Sequence, residues 1–312
     1  MEKEQKKDIQ HKILLAFLYL LRTVRYLPLG CSYALGSLLG NLGFVLLSRH
    51  RRVSWQSLSL AFPDWSFRRK LNVSHYYFSF AAQSILESFY FFRSPGKIDF
   101  FPVEGIEHLD AALAKNKGVV GVTAHLGAFP FLAWKLARMN YPVSIVARPF
   151  RDRYMGELFE KEIADTGVNI IYSYPRQRCV RNIFQRLKRN EIVIILTDQN
   201  FGTNGVWVEF FGKLAATPVG ALLTAVKTGA ALVPMYTVRT GMGRHANFIL
   251  PEFKPLPFDD EDKQTLENSI RISKLIEGWI RENPFQWTWI HRRWKSRPSA
   301  KVLSRKYKVQ GQ

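Results

Sequence analysis

Gly118-Val119-Val120-Gly121-Val122-Thr123-Ala124-His125-Leu126-Gly127-Ala128-Phe129-Pro130-Phe131-Leu132 decides how the chain is to be read. An apolar, β-branched run enters a short turn holding a histidine and a glycine, and an apolar stretch that opens a helix follows. Outward from it, further strand candidates lie at 143–147, 170–172, 192–196, 231–236 and 248–250. Helical stretches near 107–116, 128–140, 152–166, 178–189, 217–228 and 265–282 alternate with them. Alternation of this kind predicts an α/β fold, a largely parallel or mixed central sheet flanked by helices. Upstream, residues 53–100 carry apolar and aromatic residues at helical spacing, most densely from Tyr76 to Tyr90.

With 312 residues, 47% of them hydrophobic, the chain can bury a large core, which excludes a disordered protein. A formal net charge of +20 calls for an anionic partner, either a nucleic acid or an anionic membrane surface. The two cysteines, Cys31 and Cys179, sit in unlike surroundings and supply neither an expected disulfide nor a zinc set. No metal site is expected, the acidic stretch Asp259-Asp260-Glu261-Asp262 reading as a solvated turn before the last helix.

The N-terminal end is apolar from Ile13 to Leu21, is interrupted by Arg22 and Arg25, and then carries no charge from Tyr26 to Ser48. The second run is long enough to cross a bilayer, although Pro28 and four glycines interrupt it. Lys3, Lys6, Lys7 and Lys12 precede the apolar region and Arg49, Arg51 and Arg52 follow it, so both flanks prefer the cytoplasm. A single span, an interfacial hairpin and a helix packed on its own domain, with Gly36 and Gly40 permitting close approach, all fit. The basic flanks favour membrane attachment, which divides the chain into attachment helices at 1–50, a main domain at 51–300 and a basic tail at 301–312.

His125 stands where a general base would sit, at the end of a strand and ahead of helix N–H groups that favour developing negative charge. Asp198 leaves the apolar run 192–197 and is followed by Gln199 and Asn200. Because open α/β sheets bind ligands beyond the carboxyl ends of their strands, both can reach one cleft, or Asp198 can cap a turn. Thr217 before Pro218 reads as a helix N-cap, and the N–H groups behind it, with Lys213, can hold a phosphate or simply start a helix. Arg148 after the strand at 143–147 is either a phosphate clamp or a surface charge. The tryptophans and arginines from Trp287 to Arg297 suit base stacking, a bilayer headgroup layer or, most simply, a structural role.

In order along the chain, Arg51-Arg52-Val53, Ala61-Phe62-Pro63, Ala124-His125-Leu126-Gly127, Arg148-Pro149 and Thr197-Asp198-Gln199-Asn200 resemble the late acyltransferases of lipid A biosynthesis and related bacterial glycolipid acyltransferases. Phe210-Phe211-Gly212, Ala215-Ala216-Thr217, Gln286-Trp287 and His291-Arg292-Arg293-Trp294-Lys295 extend the resemblance, which covers about residues 13–298.

The resemblance implies a glycerolipid-acyltransferase-like fold and an enzyme on the cytoplasmic face of a bacterial inner membrane. It would move an acyl chain from acyl carrier protein, or acyl-CoA, to a hydroxyl of an anionic lipid A precursor or related glycolipid. His125 and Asp198 would be catalytic, and Gly127, Arg148, Gln199, Lys213 and Thr217 would bind substrate. No cofactor and no nucleic acid are implied. The family has an acid five positions after its histidine, and here that position is Pro130. Asp198 is the one acid in the matched motifs placed to compensate. A catalytically silent lipid-binding or scaffold relative is the alternative reading.

Overall fold

A computed structural model describes residues 23–298 apart from 151, 203 and 204, so the first apolar run with its lysines and the basic tail lie outside the described residues. In chain order, α1 (Leu29–Leu46), α2 (Ser48–Ala61), α3 (Phe67–Arg93) and a 3-10 turn (Pro95–Phe100) lead into β1 (Val103–Glu104) and α4 (Ile106–Leu113). Then come β2 (Val119–Thr123), α5 (Pro130–Arg138), β3 (Val143–Ala147), α6 (Arg153–Ala164), β4 (Asn169–Tyr172), α7 (Arg176–Lys188) and β5 (Ile192–Leu196). The chain closes with β6 (Val206–Phe210), β7 (Lys213–Thr217), α8 (Gly220–Thr228), β8 (Ala231–Gly241), β9 (Arg244–Ile249) and α9 (Glu261–Glu282).

Seven strands form one sheet in the order β1-β9-β8-β2-β5-β3-β4, and β6 pairs with β7 separately. Only β8 with β9 runs antiparallel in the large sheet, so the expected mixed sheet is present. Its centre is fully covered: Val120 and Val122 of β2 point into a core shared with α2, α3, α7, α8 and α9. Val119 joins a second core with Leu109, Leu132, Leu136 and Ile163 of α4, α5 and α6. Such two-sided burial is why these strands read as unbroken apolar runs.

The apolar N-terminal region supplies α1, which packs along α3. A Cβ at Gly36 would lie 2.7 Å from the Gln83 Cα, and one at Gly40 would lie 2.3 Å from the Ser79 Cα, so only glycine allows this approach. Leu38, Leu39, Leu42, Val45 and Leu46 remain exposed on the opposite side. By length and composition α1 can cross a membrane; its 18 residues rise about 27 Å against a hydrocarbon core of about 30 Å.

Two local expectations change. Asp260 caps α9, its carboxylate accepting from the Asp262 and Lys263 N–H groups at 2.7 and 3.1 Å, so part of the acidic stretch is a helix start. Thr217 does not cap a helix: it ends β7, and α8 begins at Gly220 after Val219. Phe211 and Gly212 adopt φ of +53° and +70°, the positive pair that closes a two-residue hairpin, and this sets β7 against β6 in place of a helix start. Arg293 then fixes the strand end, its guanidinium donating to the Ala216 carbonyl at 2.5 Å and to the Thr217 hydroxyl.

Candidate active site

β2 and β5 are parallel neighbours with Thr123 opposite Leu196, so the residues that follow them leave the sheet side by side. His125 and Asp198, 73 residues apart in the chain, meet there with His125 Nδ1 2.8 Å from Asp198 Oδ1. The His125 main-chain N–H donates to Oδ2 at 3.0 Å, and the Trp287 indole N–H donates to the same oxygen at 2.8 Å. The Asp198 side chain is wholly buried. Burial pushes its carboxyl up, but the His125 ring, the Trp287 donor and the His125 amide outweigh that and hold it below the ordinary carboxylate range. An ionised Asp198 accepts the Nδ1 proton, which assigns the neutral imidazole a bare Nε2. That nitrogen makes no hydrogen bond among the described residues, and the His125 side chain is 25% exposed.

The histidine turn is also gripped from its other side. Gln286 accepts the Gly127 N–H on its carbonyl at 3.1 Å, Leu126 bridges to Trp287, and the Thr288 hydroxyl donates to the His125 carbonyl at 3.0 Å. Gln286 is anchored in turn on the Arg239 backbone, accepting its N–H at 2.8 Å and donating to its carbonyl at 3.0 Å. The segment 286–288 thus fixes the backbone of the same histidine whose carboxylate partner Trp287 holds. Gly127 has φ +60°, and a Cβ there would lie 2.2 Å from the Thr237 carbonyl oxygen. Gly127→Ala is therefore expected to lower stability by about 1–3 kcal/mol, read as a lower melting temperature, and to reduce activity with it.

His291 reaches the site from the same C-terminal segment, its Nε2 accepting the Asn200 N–H at 3.1 Å. Burial lowers its pKa to about 4, partly opposed by Asp198 and reinforced by His125, Arg293 and Arg148. The folded value lies below the unfolded one, so protonation favours the unfolded chain. The share of stability that His291 gives at neutral pH should fall as pH drops from about 6.5 towards 4. His291→Gln, which keeps an acceptor for Asn200, should flatten that limb in pH-dependent denaturation.

A family model described as bacterial lipid A biosynthesis acyltransferase matches residues 2–296. The chain belongs to this family. It is 26% identical over 277 residues to a lipid A biosynthesis palmitoleoyltransferase of Escherichia coli (strain K12), covering 87% of each chain. It is 27% identical over 289 residues to a lipid A biosynthesis lauroyltransferase of the same strain, covering 87% of this chain and 88% of that one. A phosphatidylinositol mannoside acyltransferase of Mycobacterium tuberculosis (strain ATCC 25618 / H37Rv) is 29% identical over 142 residues, 45% of each chain. The chain is accordingly an acyltransferase.

Within this acyltransferase, Pro130 is the first residue of α5 and has no N–H to offer. The Phe131 and Leu132 N–H groups are taken by the Ala128 and Phe129 carbonyls at 2.9 and 3.3 Å, and that of Gly127 by Gln286. Three donors at this helix start are therefore occupied, while the Ala128 and Phe129 N–H groups, just ahead of α5, have no acceptor among the described residues. Arg148 is exposed beyond the end of β3, and its charge acts on His291. Gln199 is half-buried beside Asp198. Thr217 is buried and engaged by Arg293, whose guanidinium burial lowers to a pKa of about 10 and whose charge acts on Asp198. Lys213 stands at the hairpin turn, separated from Thr217 by the length of β7, about 13 Å, and no contact joins it to His125 among the described residues.

Trp287 and His291 lie inside the motifs that carried the resemblance, yet sequence reasoning assigned them no site role. The signal was their recurrence beside His125 and Asp198 in one family pattern. Their bonding depends on a C-terminal segment returning to the ends of β2 and β5.

Proposed function

We propose that this acyltransferase moves a fatty acyl chain from an acyl carrier protein thioester, or from acyl-CoA, to a hydroxyl of a lipid A precursor or a related glycolipid. Residues 1–50 attach it to the bacterial inner membrane, and the body at 51–300 works on the cytoplasmic face, with the tail at 301–312 adding basic charge. The names of its relatives, which act on lipid A or phosphatidylinositol mannoside, support the acceptor class. The exposed apolar ridge of α1 and the net charge of +20 support attachment to an anionic bilayer.

The observation that carries the reading is the buried Asp198 bonded to Nδ1 of a histidine whose Nε2 is open. In the proposed reaction Nε2 removes the proton of the acceptor hydroxyl as its oxygen attacks the thioester carbonyl carbon. Asp198 stabilises the imidazolium that forms, and Arg148 faces the developing oxyanion or an acceptor phosphate. Collapse of the tetrahedral intermediate breaks the carbon–sulfur bond, and the leaving thiolate takes the proton from Nε2. The products are an ester and a free thiol. Gly127 shapes the turn, and Gln199 contacts substrate beside the pair. Lys213 and Thr217, placed in the sequence as phosphate holders, act at most from the hairpin.

Asp198 supports activity over the silent-relative reading, because it stands at hydrogen-bonding distance from the nitrogen that the missing acid would otherwise orient. Lipid mass spectrometry of cells with the chain, without it, and with the His125→Ala variant tests the reading. One acceptor lipid should lose one acyl group in both the second and third cells. Unchanged lipids, or full restoration by His125→Ala, would overturn it.

A further inference from the structure

We propose that the outer face of α7 is the docking surface for an acidic carrier protein that delivers the acyl thioester. The inference rests on the acyl-transfer reading above and names where one donor binds. The helix RQRCVRNIFQRLK contains no carboxylate, and it buries Cys179, Ile183 and Leu187 against the sheet. Arg176, Arg178, Arg181 and Lys188 are exposed and form no ion pair among the described residues, whereas Arg186, on the inner edge, is paired with Glu191 at 3.0 Å. Two of these arginines lie in the first turn, where the helix dipole already presents positive charge. Such an arrangement does nothing for the helix itself and is compensated by an anionic partner.

Position identifies the partner. β4 leads into α7 at the same edge of the sheet at which β2 releases His125, β5 releases Asp198 and β3 releases Arg148. Three strand spacings separate β2 from β4, about 14 Å, a gap that a thioester on a flexible arm can cross while its carrier stays outside. The first residue of α1, Leu29, packs against Gly243 between β8 and β9, near the other end of the sheet. Five strand spacings, about 24 Å, separate β9 from β4, so the start of α1 and the basic face of α7 stand at different strands of the sheet. Exposed Val180, at the margin between the basic and buried faces, and Tyr174, just ahead of the helix, add apolar contact of the kind that a specific protein interface uses.

The test uses the full chain in detergent, with acyl-loaded carrier protein and acyl-CoA as alternative donors, comparing wild type with an Arg178→Glu, Arg181→Glu double variant. The variant should raise KM for the carrier donor roughly tenfold or more and weaken directly measured carrier binding in parallel. Its KM for acyl-CoA and its sedimentation with phosphatidylglycerol vesicles should match wild type. Unchanged carrier affinity, equal effects on both donors, or a defect confined to vesicle binding would each overturn the proposal, the last assigning the face to the membrane. A wild-type chain that binds carrier but transfers from neither donor would instead refute the acyl-transfer reading alone.

Discussion

Asp198→Asn is expected to lower the turnover of acyl transfer by about 10³–10⁴-fold with the chain still folded, while Pro130→Ala leaves turnover within a few-fold of wild type. The contrast follows from where the charge lies. Asp198 is ionised, wholly buried and 2.8 Å from His125 Nδ1. An amide in its place retains an acceptor but no charge to stabilise the imidazolium, and it can rotate to offer a donor where the ring also donates. Pro130 faces no such duty, since it only opens α5. Single-turnover kinetics with a labelled donor separate the chemical step from substrate binding and check the comparison.

Glu87→Ala should destabilise the fold by about 3–5 kcal/mol, read from chemical denaturation of the detergent-solubilised chain. Glu87 is wholly buried in α3 and accepts from Tyr33 of α1 at 2.5 Å, Arg239 of β8 at 2.8 Å and His245 of β9 at 3.0 Å. Removing the carboxylate leaves the buried Arg239 without its counter-charge. Burial pushes the Glu87 carboxyl up, but His245, Arg239 and Tyr33 more than offset this and hold it below its ordinary value. With its folded pKa depressed, the stability it gives is present above the unfolded carboxylate range and is lost as pH falls through the folded value. Glu87→Gln should remove this acid limb along with most of the stability. Because the Arg239 backbone anchors Gln286, the loss should also loosen the histidine turn and reduce activity.

Much of this architecture is written in short-range pattern. The runs at 119–123 and 192–196 announce buried strands because both of their faces are covered, and the helices at 130–138 and 176–188 follow from apolar spacing. His125 and Asp198 stand out because each ends such a run, and open sheets place ligands at that edge. What local pattern hides is adjacency. That β2 lies beside β5, with β3 and β4 beyond, is set by how the whole sheet packs, and the pairing of His125 with Asp198 depends on it. The β6–β7 hairpin is hidden for a similar reason. Thr217-Pro218 has the chemistry of a helix start, but a Phe-Gly turn at positive φ and an arginine 76 residues further on hold Thr217 in a strand. Trp287 carries its role through one indole N–H, whose partner is known only once the C-terminal segment folds back.

The central claim, that Asp198 supplies His125 with the acid missing at position 130, is tested most directly by nitrogen NMR of histidine-labelled chain in mildly alkaline buffer. The account predicts a His125 ring protonated on Nδ1 and bare on Nε2, with a downfield Nδ1 proton that Asp198→Asn shifts or abolishes and Pro130→Ala leaves in place. A His125 ring protonated on Nε2, or a spectrum unmoved by Asp198→Asn, would contradict it.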